Sequence, residues 1–192
     1  WYEDNPSVAK YKRMVPFGVR RALGKAAKHM PYFKGHNFLM KGAEMAEEYF
    51  VGQALVWPER EVSSVLRPEY DKGEGAFELA APIYARVSDK SELIRKQYLD
   101  MNMWLPGDIL LKADKMCMAH SLELRVPFLD RRVMEFAEHI PDRYRVNENG
   151  NKLVLRHAAN KSLPDEWATR PKVGFPVPMI SISYTHLTLP TN

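Results

Sequence analysis

The chain has 192 residues, 45% hydrophobic and 27% charged, which suits a globular unit with its own core and excludes a disordered or fibrous protein. Its formal net charge is +4, and its apolar runs fall far short of the ~18 residues a membrane span needs, so no membrane association is expected. A single cysteine, Cys117, excludes an internal disulfide framework and suits a reducing, cytoplasmic setting.

The chain opens on Trp1, with neither an initiator methionine nor a signal-peptide pattern, and a fragment is the expectation. Helices are expected at about 5–14, 16–30, 37–56, 58–66, 76–87, 90–103, 107–120, 128–140 and 153–162, separated by proline and glycine. No acidic residue occurs between Asp4 and Glu44, whereas Lys10, Lys12, Arg13, Arg20, Arg21, Lys25, Lys28, Lys34 and Lys41 crowd that stretch. Within it, Val15, Val19, Leu23, Ala26 and Met30 form an apolar stripe, leaving the bases on the other face. Such a face is either a solvated helix surface or a patch for nucleic acid. Aromatics are not interleaved with the bases as a base-stacking surface requires, so nucleic acid is not expected.

The glycine pair of DKGEGAFELAAP, Gly73 and Gly75, follows no convincing strand and reads as a surface loop ahead of a helix, not a phosphate cradle. No His-Glu-x-x-His or paired-cysteine spacing points to zinc. In LPGDILLKADKMCMAHSLELRVPFLD, a helix from Asp108 to His120 would place Leu110, Leu111, Ala113, Cys117 and Met118 on one apolar arc, with Asp114 near its middle. A carboxylate buried there would cost several kcal/mol unless paired, on the order of the penalties for isolated buried charges. Arg125, with its forked and permanently charged head, is the expected partner, with Glu123 close by in sequence. Two readings remain open: a structural ion pair fixing one helix against the next, or the floor of a polar site.

Further on, PFLDRRVMEFAEHI carries Leu129, Val133, Phe136, Ala137 and Ile140 on one helical face. RYRVNENGNKLVL holds a turn at Asn149-Gly150, consistent with at most a short hairpin near 143–155. In WATRPKVGFPVPM, Lys172 follows Pro171 on a loop, either as a surface lysine or as a point charge for a phosphate.

Three blocks, YLDMNMWLPGDILLKADKMCMAHSLELRVPFLDRRVMEFAEHIP, KLVLRHAANKSLP and RPKVGF, resemble in order and spacing the C-terminal part of glutamine-hydrolysing asparagine synthetases. In order and spacing the blocks match between residues 98 and 175, with weaker similarity reaching back to Trp1 and forward to Met179. It implies a mainly α chain, the helical C-terminal portion of an α/β adenine-nucleotide α-hydrolase-like synthetase domain over residues 1–180. The implied reaction joins aspartate to ATP, giving β-aspartyl-AMP and pyrophosphate, and glutamine-derived ammonia then displaces AMP to yield asparagine. Lys172 matches the lysine of the family's Arg-x-Lys-x-Gly-Phe block, expected to neutralise phosphate charge. Asp114, Glu123 and Arg125 match an element expected to support the nucleotide site. ATP and Mg2+ are implied for the full-length enzyme, with no metal ligand identified in this chain.

The family's Ser-Gly-Gly-x-Asp-Ser loop, its Gly-Glu-Gly-x-Asp-Glu block and the glutaminase cysteine do not occur here. They are expected in a missing N-terminal part of the same polypeptide, and the isolated chain is expected to be inactive. Lys115 and Cys117 replace an arginine and a serine common in the family. Residues 181–192, ISYTHLTLPTN and the residue before it, depart from the pattern and are expected to be a non-native tail. A related amidotransferase or β-lactam-forming synthetase with the same adenylation chemistry is the alternative, and a basic helical nucleic-acid- or partner-binding module is the alternative of another class.

Overall fold

A computed structural model describes residues 6–30, 33–52, 66–70, 72–147 and 150–170. The chain divides into two compact units, Trp1–Asp142 and Arg143–Asn192.

In the first unit α1 (Pro6–Met14), α2 (Phe17–Lys28) and α3 (His36–Ala43) pack through small residues. A Cβ on Gly24 would stand 2.2 Å from the Ala43 Cβ, and one on Gly42 would stand 2.3 Å from the Tyr11 ring. Ala27 and Ala43 are buried at this contact, whereas Val19, Leu23 and Met30 are exposed. The apolar stripe read from sequence is therefore not the face α2 buries. Glycine and alanine let two backbones approach more closely than branched side chains can, and the helix turns that narrow face inward.

Several bases of the acid-free stretch are engaged. Lys12 reaches Glu92, the Arg20 guanidinium donates to the carbonyls of Val15 and Gly42, and Arg21 pairs with Glu48. Lys10, Arg13, Lys25, Lys34 and Lys41 are exposed.

The helix expected at 37–56 ends at Ala43. Met45 is extended, and its N–H donates to Glu48 Oε2 at 2.8 Å, so the acid three residues on caps a new helix, α4 (Ala46–Tyr49). The same device opens α5 (Ala76–Ala85), where the Gly75 N–H donates to Glu78 Oε2 at 3.1 Å. The GEGAF stretch is thus a helix entry, as expected. Ser91 Oγ accepts the Ile94 N–H and starts α6 (Glu92–Asn102). Ala46, Ala80, Tyr84 and Leu99 form the core where α4, α5 and α6 meet, with Phe50, Val51, Ile83 and Met103 packed on it. Beside this core lies a half-buried polar knot centred on Glu92.

After α6 the chain winds as a π-helical stretch, Leu105–Leu110, which leads into α7 (Leu111–Met118). Pro106 has no N–H to give the regular ladder, a common origin of such widened turns. A 3-10 turn, Pro127–Leu129, precedes α8 (Arg131–Glu138), whose first turn is capped by Asp130 Oδ1 accepting from the Arg132 N–H at 3.0 Å. The hydrogen bond from Arg132 holds the Asp130 carboxyl below its ordinary value.

A short helix, α9 (Asp142–Arg145), spans the division between the units. The second unit holds β1 (Val146–Asn147) and β2 (Gly150–Asn151), paired antiparallel with Val146 opposite Asn151. Gly150 has φ +132°, a value L side chains rarely adopt. The hairpin stands where the sequence places one. α10 (Leu153–Ala159) and α11 (Asp165–Ala168) follow. The described residues are mainly helical, with this hairpin as their one sheet. No helix among them is long and apolar enough to cross a membrane. The helix expected at 58–66, apart from Leu66, lies outside the described residues, as do Lys172 and residues 181–192.

Candidate functional site

The segment singled out by sequence spans the π-helical stretch, α7 and the loop to Pro127. Its first polar centre is Asp108, which sequence reasoning passed over. The Trp104 indole N–H donates to Asp108 Oδ2 at 3.1 Å, and Lys112 Nζ stands 2.7 Å from Oδ1. The Leu-Pro-Gly-Asp spelling is the signal that could have found it, because an acid one turn after a tryptophan and one turn before a lysine can bridge both.

Asp114 is not where the apolar arc predicted it. It is exposed on α7, together with Leu111 and Met118, while Leu110, Ala113 and Cys117 are half-buried. The half-buried line runs through 110, 113 and 117, so Asp114 lies at its edge. The arc is broader than the part this fold covers, and the expected desolvation cost does not arise.

The expected pairing is corrected as well. Arg125 Nη2 lies 2.7 Å from Glu123 Oε1, the two side chains 80% and 70% exposed. These residues share a strand-like spacing in the loop, and Arg125 takes the carboxylate two positions away. A pair so open to water adds little to stability and fixes no helix against another. Of the four residues singled out, the fold joins Glu123 to Arg125; Asp114 has no partner among the described residues, and Lys172 lies outside them.

Around this segment the surface is strongly apolar. Met116, Leu122, Phe128 and Phe136 are all more than 60% exposed, and Ile109, Leu124, Val126 and Val133 are substantially so. Pro127, Asp130, Arg132, Val133 and Phe136 line a shallow, open groove on α8. The ion pairs there, Arg131 with Glu135 and Arg132 with Asp130, close on the helix itself.

In the second unit Arg156, also passed over in sequence, is held by three backbone carbonyls. Its Nε donates to the Asn151 carbonyl at 3.0 Å, and its Nη1 donates to the carbonyls of Ala168 at 2.9 Å and Arg170 at 3.0 Å. Arg170 is two residues before Lys172 in the chain. Among the described residues no group of three or more His, Cys, Asp or Glu could hold a metal ion.

Comparison with known proteins supplies what this geometry alone does not. The asparagine synthase family profile matches residues 2–189. The chain is 36% identical over 179 residues to asparagine synthetase [glutamine-hydrolyzing] 1 of Bacillus subtilis, covering 93% of this chain and 28% of that protein. It is 37% identical over 169 residues to a putative asparagine synthetase [glutamine-hydrolyzing] of Mycobacterium tuberculosis H37Rv, covering 86% of this chain and 25% of that one. The human asparagine synthetase [glutamine-hydrolyzing] is 37% identical over 115 residues, covering 54% of this chain and 19% of that one. No solved structure gives a significant match. The chain thus spans about a quarter of the length of the bacterial relatives, 28% and 25%. Matched over nearly its whole length, the chain belongs to the asparagine synthase family.

Proposed function

We propose that this chain is the helical C-terminal part of the ATP-dependent domain of a cytoplasmic, glutamine-hydrolysing asparagine synthetase, with an α/β nucleotide-binding portion supplied by the remainder of the polypeptide. The observation that carries the reading is the family match over residues 2–189, which takes in all three sequence blocks. In the proposed reaction an aspartate β-carboxylate oxygen attacks the α-phosphorus of ATP, and the bond to the bridging oxygen of the β-phosphate breaks. Pyrophosphate leaves with that electron pair. Ammonia from glutamine then attacks the acyl carbon of β-aspartyl-AMP, AMP departs, and the nitrogen loses a proton to give asparagine.

Lys172 is the residue of this chain to which we assign charge neutralisation on the phosphates as the α–β linkage breaks. A cation placed where negative charge grows is worth about 3–4 kcal/mol in the transition state. Asp114, Glu123 and Arg125 take a supporting role, on an open face that the remainder of the polypeptide completes. Glu123 and Arg125 stand exposed on that face, paired with each other.

In the full-length synthetase, Lys172→Ala lowers ATP–pyrophosphate exchange by about 100-fold or more without changing the melting temperature. A near-normal exchange rate refutes the role.

A further inference from the structure

We propose that residues 122–126 are a β-strand of the complete protein, paired with the edge of a sheet carried by the remainder of the polypeptide; the inference rests on the reading that an α/β portion lies there.

The stretch begins where α7 is stopped by a left-handed residue. Ser121 has φ +55°, a region that residues with a side chain rarely adopt. Its N–H donates to the Met118 carbonyl and the Leu122 N–H donates to the Cys117 carbonyl, each at 3.0 Å. This pair of bonds takes up carbonyls at the helix end and closes it. Downstream, the 3-10 turn starts at Pro127, and the Leu129 N–H donates to the Val126 carbonyl at 2.9 Å. Residues 122–126 are thus tied at both ends but belong to no helix or strand. Among the described residues, the N–H groups of Glu123, Leu124, Arg125 and Val126 donate to no backbone carbonyl.

The side chains repeat every two residues, which is the period of a strand and not of a helix. Leu122, Leu124 and Val126 alternate with Glu123 and Arg125. The fold keeps that alternation. Arg125 Nη2 reaches Glu123 Oε1 at 2.7 Å, so the two charged side chains stand on one side, as residues two apart do in an extended chain. The three apolar side chains are 42–61% exposed. Pro127, which has no N–H, sits where a ladder would have to stop. Proteins pair or cover an open row of N–H and C=O groups that runs beside an apolar row. No strand is found among the described residues of the first unit, so none of them supplies the partner. The partner strand lies in the remainder: the chain spans 28% of its Bacillus subtilis relative, and the larger share of a polypeptide of that length is outside it. Joining a sheet there satisfies the free N–H groups and covers Leu122, Leu124 and Val126. It leaves Glu123 and Arg125 paired on the opposite face, so neither charge needs a new partner.

The test is amide hydrogen exchange in the full-length synthetase, resolved to single residues over 121–128, with ATP–pyrophosphate exchange measured on the same preparation. Paired amides are expected to exchange about 100-fold or more slowly than the same amides in an unstructured peptide. An edge strand turns alternate N–H groups toward its partner, so the slow set should include Glu123 with Arg125 or Leu124 with Val126. Leu124→Asp puts a charge into the covered row and should speed exchange in the slow set by about 10-fold or more. Glu123→Gln, on the other side, should leave that set slow. Fast exchange at all four amides of the wild-type protein overturns the strand. Slow exchange that is lost on dilution to the monomer overturns the choice of partner, because a second copy then supplies the pairing. Slow exchange that Leu124→Asp leaves untouched overturns the covering of the apolar row. A full-length protein without ATP–pyrophosphate exchange but with the slow amides refutes the proposed reaction and supports the strand.

Discussion

Glu92 is the most informative single side chain to perturb. It accepts hydrogen bonds from Lys12 Nζ at 3.1 and 3.2 Å and from the Tyr49 hydroxyl at 2.7 Å, and Lys96 Nζ lies 2.7 Å away. It thereby ties α1, α4 and α6 together. Lys96 is 3% exposed and also stands over the Tyr49 ring at 4.9 Å. Burial pushes the Glu92 carboxyl up, but the bonds from Lys96 and Tyr49 and the charges of Lys96 and Lys12 outweigh it, and the pKa falls from 4.5 to about 2. Taken at face value that displacement is about 3 kcal/mol. The carboxylate is 33% exposed, so screening by water reduces it to about 1–2 kcal/mol. Glu92→Gln keeps the shape and removes the charge, leaving the buried Lys96 without the anion it touches, which raises the expected loss to about 2–3 kcal/mol. For a unit of this size that is a fall in Tm of about 5–10 °C. The sign with pH is set by a folded pKa below the unfolded one. The stabilisation is complete above about pH 4.5 and is lost as pH falls toward about 2. Melting curves of wild type and Glu92→Gln should therefore lie apart at neutral pH and converge below about pH 4.5. A gap that is absent at neutral pH, or constant down to pH ~3, refutes the reasoning.

Two other predictions rest on different features. Gly24→Ala should lower Tm even though alanine is the better helix former by about 1 kcal/mol, because its Cβ would meet the Ala43 Cβ at 2.2 Å and force α2 off α3; a raised Tm would show that the two helices are not in contact there. The 192-residue chain by itself should give no ATP–pyrophosphate exchange under conditions where the full-length synthetase does; measurable exchange contradicts the assignment of the pyrophosphate loop to the remainder of the polypeptide.

The helices near 6–14, 17–28, 76–85, 92–102 and 131–138 were legible because apolar spacing and start signals agree there. Periodicity was silent on two other matters. It does not register a local change of winding, so the expected helix from 107 hid the π-helical stretch at Leu105–Leu110 and the Trp104–Asp108–Lys112 contacts built on it. Nor does it say which part of an apolar arc becomes covered. On α2 the covered part is the glycine and alanine face, and on α7 it is the line through 110, 113 and 117, which leaves Asp114 in water. Tertiary contact decides both, and a single helix cannot encode the shape of its neighbour. Arg156 escaped notice for the same reason: its three carbonyl partners lie five to fourteen residues away and carry no side-chain signature.

The exposure of Asp114 changes what must answer it rather than removing the question. Leu111 and Met118, one helical turn to either side of it, are exposed too. Under the proposed function this face meets the rest of a polypeptide of which the chain spans 28% in the Bacillus subtilis relative. Covering Leu111 and Met118 would also take the neighbouring carboxylate out of water, at a cost of several kcal/mol unless a cation or N–H donor meets it, the usual order for an unanswered buried charge. Arg125 already has Glu123 as its partner, and moving to Asp114 would strand that second acid. The partner of Asp114 is therefore to be sought on the covering segment, where Asp114→Asn should weaken docking if a cation supplies it and leave docking unchanged if water stays in the seam.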